Sequence, residues 1–264
     1  MTNLTNDQNG AAIARATATN LIKAAEDAIA SGVRVAADKA AVFGAVYSWW
    51  RLVCRTSEAV LLLTERDFTA EVAPLVRNIF NHTYAINWMV DNGDAAIDAL
   101  ADRDLADREK LCRKLEATGW TRAAEFRAEL DQVVASQPAA PARTPAEQTH
   151  HEKLAYELGN VFEMLDRYGS GDLYPVYSHL SSLSHTTGLT ARLYLEQLND
   201  GSVQIRRTAV EIGHADVIQS ALALLQAASV VSPLLDGDPM RAAIDQAVAD
   251  LGLENVQLLP TRVK

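Results

Sequence analysis

Clustered cysteines, glycine-rich loops, strand-like alternation and a positive charge balance are all scarce in this 264-residue sequence. Its only two cysteines, Cys54 and Cys112, lie far apart and have no Cys or His at ligand spacing. That excludes a disulfide framework and a cysteine-built zinc site, and it predicts two buried or half-buried thiols in a reducing cytoplasm. The 13 glycines form no phosphate-cradling loop. Signatures of nucleotide cradles, hydrolase elbows and zincin sites are absent. With 24 basic against 34 acidic residues the net charge is −10, which argues against binding nucleic acid through bulk positive charge. The first ten residues are polar and lack the basic and apolar regions of a secretory signal. The longest apolar runs, 60–63 and 229–235, fall short of the ~18 residues of a membrane span, so none is expected.

Proline is missing before Pro74, between Pro74 and Pro138, and between Pro175 and Pro233. Proline breaks helix interiors, so these Ala/Leu/Glu/Arg-rich tracts predict long helices. With 48% apolar residues there is enough to build a sizeable core. The expectation is an all-α fold, a single helical bundle of about seven helices, several of them long. Residues 11–135 would hold the N-terminal helices, 136–143 an exposed Pro/Ala loop, 144–253 the C-terminal helices and 254–264 a tail. All belong to one domain, 1–264, because neither half looks able to close a core alone.

Local signals place several boundaries. A second helix over 36–65 has a wide apolar face and is expected at the centre of the bundle. Thr69 is a candidate cap for the third helix, and Gly119 a candidate break later on. Thr144-Pro145-Ala146-Glu147 has the form of a capping box with proline in the first turn. Gly169 suits a helix end, a further helix runs from Pro175 to about Leu198, and Asn199-Asp200-Gly201 suits a turn. Long and short helices over 207–231 and 239–251 complete the chain. The one strand candidate, 201–205, is too short to found a sheet.

What remains for chemistry is histidine, carboxylate, arginine and hydroxyl. Arg77 and His82 share the third helix, roughly 140° apart around its axis. The pair fits the R-x(4–6)-H spacing of HEPN proteins, helical and commonly dimeric, many of them metal-independent ribonucleases of toxin and defence systems. In that reading His82 moves a proton and Arg77 stabilises phosphate charge at a dimer seam. With so many arginines, chance also produces this spacing at Arg143–His150 and Arg207–His214. The plainer reading is an arginine and a histidine anchoring helix packing.

Tyr177, Ser181 and His185 recur every four residues and form one polar stripe on a helix, either a hydrogen-bond network or a pocket lining. Glu147-x-x-His150 and Glu211-x-x-His214 have the spacing of di-iron bundles, but Glu58 and Glu71 are undistinguished as the further carboxylates. No metal and no cofactor is expected.

Two segments carry a family likeness. Pro74-Leu75-Val76-Arg77-Asn78-Ile79-Phe80, with Ala85-Ile86-Asn87-Trp88-Met89, resembles the first motif of the family of unknown function DUF5677. Tyr177-x-x-Leu180-Ser181-x-x-x-His185 resembles its second. The likeness spans roughly 35–198 and implies an all-α fold with no settled activity to carry over. Its matching polar positions are Arg77, Tyr177, Ser181 and His185. Family members often have Glu where this chain has Asn81, so an Arg–Glu site is missing here, and His82 lies outside the family pattern. The sequence therefore supports a polar cluster of Arg77, Asn81, Tyr177, Ser181 and His185 in a non-catalytic binding or interaction module. The HEPN-like ribonuclease is the alternative. RNA or another protein is the expected partner, and a homodimer the expected assembly.

Overall fold

The structure is a computed structural model that describes residues 8–136, 143–169, 173–209 and 215–254. The Pro/Ala loop, apart from its two ends, lies outside the described residues, as do the tail after Glu254, Glu211 and His214. The fold is all-α. Ten α-helices and one two-stranded sheet are present among the described residues. One unexpected break, at Asn160, divides the tract between Thr144 and Gly169 into two helices.

The chain falls into two compact units, one from residues up to Asp91 together with those from Val161, the other Asn92–Asn160. The first unit contains α1 (Gln8–Ala30), α2 (Ala40–Thr64) and α3 (Ala73–Asn92, whose last residue belongs to the second unit). After the intervening unit it resumes with α7 (Val161–Tyr168), α8 (Leu173–Ser184), β1 (Leu195–Gln197), β2 (Val203–Ile205), α9 (Ala215–Val231) and α10 (Arg241–Asp250). The third helix starts at Ala73 rather than after Thr69, because a turn over residues 70–72 supplies its first carbonyls.

The centre of this unit is α9, not α2. Twelve of its 17 residues are buried, and α1, α2 and α10 all pack on it. By contrast α2 leaves Leu52 45% and Leu62 59% exposed. A wide apolar face does not make a helix central, since much of any protein surface is apolar. Ala11, Ala14, Ala18, Leu21, Ala25 and Ala28 of α1 are buried at alternating three- and four-residue steps. This stripe of small side chains lets the α1 backbone come close to α9. The stretch Ala215–Leu234 is long and apolar enough to cross a membrane, but most of it is buried inside the protein.

The helix expected from Pro175 to Leu198 stops at Ser184. Two threonines end it. Thr187 Oγ1 donates to the Ser182 carbonyl at 3.0 Å, and Thr190 Oγ1 donates to the His185 carbonyl at 3.1 Å. Such hydroxyls compete with the backbone for helix hydrogen bonds. The chain then forms an antiparallel hairpin that pairs Leu195 with Ile205 and Gln197 with Val203. Its turn holds Gly201 at φ 83°, and Asp200 Oδ1 accepts from the Ser202 amide at 2.9 Å.

The second unit is α4 (Asp94–Ala117), α5 (Ala123–Ser136) and α6 (Pro145–Gly159). Gly119, at φ 65°, separates α4 from α5. The capping box forms as expected: the Glu147 amide donates to Thr144 Oγ1 at 3.3 Å, and the Thr144 amide to Glu147 Oε2 at 2.7 Å. α6 ends unexpectedly at Gly159, with Asn160 extended as its C-cap, and a Cβ at Gly159 would sit 2.2 Å from Arg103 Nη1, so the close approach of that side chain needs glycine. That guanidinium donates to the Ala155 carbonyl at 3.0 Å. Thr144→Ala is expected to cost about 1 kcal/mol, read as faster amide hydrogen exchange in the first turn of α6 with exchange in α9 unchanged.

Candidate functional site

Arg77, Asn81 and His82 project from the middle of α3, half-buried, within a helix whose next seven residues are all buried. Arg77 Nε donates to the Tyr177 hydroxyl on α8 at 3.1 Å, and the guanidinium carbon lies 5.3 Å from the centre of the same ring. This joins two helices 100 residues apart in sequence by a charged donor and an aromatic face. No other hydrogen bond from Arg77 to the described residues is present, which leaves both of its Nη groups as unspent donors. One turn along, Asn81 Oδ1 is buried without a partner.

The remaining predicted residues are placed differently. His82 Nδ1 is 2.8 Å from the Asn78 carbonyl, so this nitrogen carries the proton and ties the ring to its own helix. Along α8, Tyr177 is buried, Ser181 half-buried and His185 exposed just past the helix end. The stripe therefore runs from the interior to the surface, and His185 stands among solvent-facing residues. Of the possible metal ligands, Glu147 serves the capping box, Glu58 pairs with Arg55 and Glu71 accepts from Tyr194. His150 is exposed. Among the described residues no three His, Cys, Asp or Glu side chains converge in a way that suits a metal ion. Cys54 and Cys112 are both free and buried, and burial pushes the Cys54 thiol up to about 12, where it is inert as a nucleophile.

A second polar feature escaped the sequence. Asp216, in the first turn of α9, is only 9% exposed, and burial raises its carboxyl from 3.8 to about 6. It lines a cavity of about 520 Å³ together with Arg15, Thr64, Asp67 and Thr208. On its other side it lines a cleft of about 300 Å³ with His179 and Gln219, whose Oε1 is buried without a partner. A signal was present: Asp216 is the one charged residue in the 17 residues of α9.

These features define an all-α protein with a polar junction between α3 and α8 and a buried acid at the head of its central helix. Residues 43–202, more than half of the chain, match the family of unknown function DUF5677, and the chain belongs to that family. The match contains both Arg77 and Tyr177 but not Asp216. No curated protein and no solved structure matches the chain.

Proposed function

We propose that this protein is a non-catalytic binding module whose recognition group is the Arg77–Tyr177 junction. The hydrogen bond at 3.1 Å carries the reading: it fixes the guanidinium by Nε and leaves both Nη groups to meet a carboxylate or phosphate oxygen of a ligand or partner. Asn81 Oδ1, buried and unpartnered, adds an acceptor one helical turn away. A charged group left with unspent donors in a half-buried place suits binding, whereas turnover also needs a proton-moving group beside it. His82 projects roughly 140° around α3 from Arg77; its Nδ1 is held by the Asn78 carbonyl, and its Nε2 is what the His82→Ala sample tests. The two free thiols suit a reducing compartment.

The test uses the full chain, Arg77→Ala and His82→Ala, each incubated with total RNA and each melted with and without inorganic phosphate. The expected result is intact RNA in all three samples. Phosphate should raise the melting temperature of the parent chain and of His82→Ala but not that of Arg77→Ala. Arg77→Ala should itself cost about 1–2 kcal/mol through the lost charged hydrogen bond. Cleavage by the parent chain that disappears in His82→Ala would replace this reading with the HEPN-like ribonuclease.

A further inference from the structure

We propose that the cavity at the head of α9 is a binding site for a small organic cation, an alkylammonium or guanidinium group seated on the Asp216 carboxylate. The cavity, about 520 Å³, falls within the range of small-molecule sites. Its walls come from α1, from the end of α2 and the turn after it, from Thr208 and from α9.

The charge balance selects the ligand. The cation already present, Arg15, is tied to α2 and the turn after it by three of its five N–H groups. Its Nη1 donates to the Leu61 carbonyl at 2.7 Å and to Glu65 Oε1 at 2.9 Å, and its Nη2 donates to Thr64 Oγ1 at 2.8 Å. Glu65 thus balances Arg15, which leaves Asp216 and Asp67 as uncompensated negative charges on the cavity wall. The Asp216 carboxylate makes no hydrogen bond to the described residues, and the residue is nine-tenths buried. A buried carboxylate without a partner is costly, and an ammonium or guanidinium group in the cavity would recover that cost. A helix N-terminus ordinarily attracts anions. Here an acid of the helix itself fills that role, so an incoming anion would meet a like charge. Gln8 and the threonine hydroxyls of the wall offer neutral acceptors for the remaining N–H groups of the ligand. The site shares no residue with the Arg77–Tyr177 junction.

The experiment is a calorimetric titration of the full chain at pH 7.5 with n-hexylammonium chloride. Sodium hexanoate and 1-hexanol serve as anionic and neutral probes of similar size. Hexylammonium is expected to bind at least tenfold more tightly than either. Asp216→Asn should weaken it at least tenfold while melting no lower than the parent chain. Ala12→Trp, which fills the cavity from an exposed wall position without altering charge, should abolish binding. Equal binding of hexanol and hexylammonium overturns the proposal, as does unchanged affinity in Asp216→Asn or in Ala12→Trp.

Discussion

Leu225→Ala is expected to destabilise the protein by about 2–5 kcal/mol, the usual cost of truncating a fully buried leucine. Leu225 is 0% exposed and lies midway along α9, the helix on which α1, α2 and α10 converge. Removing its side chain loses the transfer energy of three carbons and leaves a void that rigid helix backbones close only in part. Urea unfolding followed by tryptophan fluorescence in a Trp120→Phe background measures this. The remaining tryptophans, Trp49, Trp50 and Trp88, all belong to the unit that contains α9. Leu62→Ala is the control. With Leu62 59% exposed, its cost should stay within about 0.5 kcal/mol. Equal effects at the two positions would remove α9 from the centre of the fold.

Asp216→Asn should act in the opposite direction and stabilise the protein at neutral pH. The Asp216 carboxyl is raised from 3.8 to about 6 in the folded state, with burial as the cause. Between those two values the unfolded chain has released the proton and the folded chain has not, so stability falls as pH rises. Above about 6 both states are ionised and the penalty is constant, roughly 2–3 kcal/mol from the size of the shift. Below 3.8 both are protonated and the penalty vanishes. The charged or titratable groups that share its two cavities are Arg15, Asp67 and His179. Arg15 is held by Glu65, and Asp67 and His179 are exposed, so burial sets the sign. Asparagine keeps the shape and removes the charge. Its gain over the parent chain should be present at pH 7.5 and close to zero at pH 3. A variant that is less stable than the parent at both pH values would contradict this account.

Much of the helical layout could be read from the chain. The capping box at Thr144 and Glu147, the break at Gly119 and the end at Gly169 are local devices, written in one to four adjacent residues. The features that could not be read depend on contacts remote in sequence. The Arg103 side chain lies against Gly159, and no pattern around Gly159 announces an arginine 56 positions earlier. The end of α8 at Ser184 reflects Thr187 and Thr190 bonding back to carbonyls, a competition that apolar periodicity does not register. In the candidate site, polarity within apolar helices singled out Arg77 and Tyr177, but it also singled out His185, which stands in solvent. Asp216 does not stand out in the sequence, because an acid in the first turn of a helix is ordinary and only its burial distinguishes it.

The alanine stripe of α1 also sets a timetable for synthesis. The helix that covers it, α9, follows about 200 residues later, and at synthesis rates of roughly 5–20 residues per second the delay is about 10–40 s. Throughout that interval α1 can meet α2, but the stripe that packs on α9 lacks that partner. The three helices α4, α5 and α6 are contiguous in sequence and need nothing translated after Asn160 to meet one another. The inserted unit can therefore close on the ribosome while the unit that surrounds it is still incomplete. Docking of the apolar run of α9 is the step that completes the surrounding unit, since α1, α2 and α10 all pack on it.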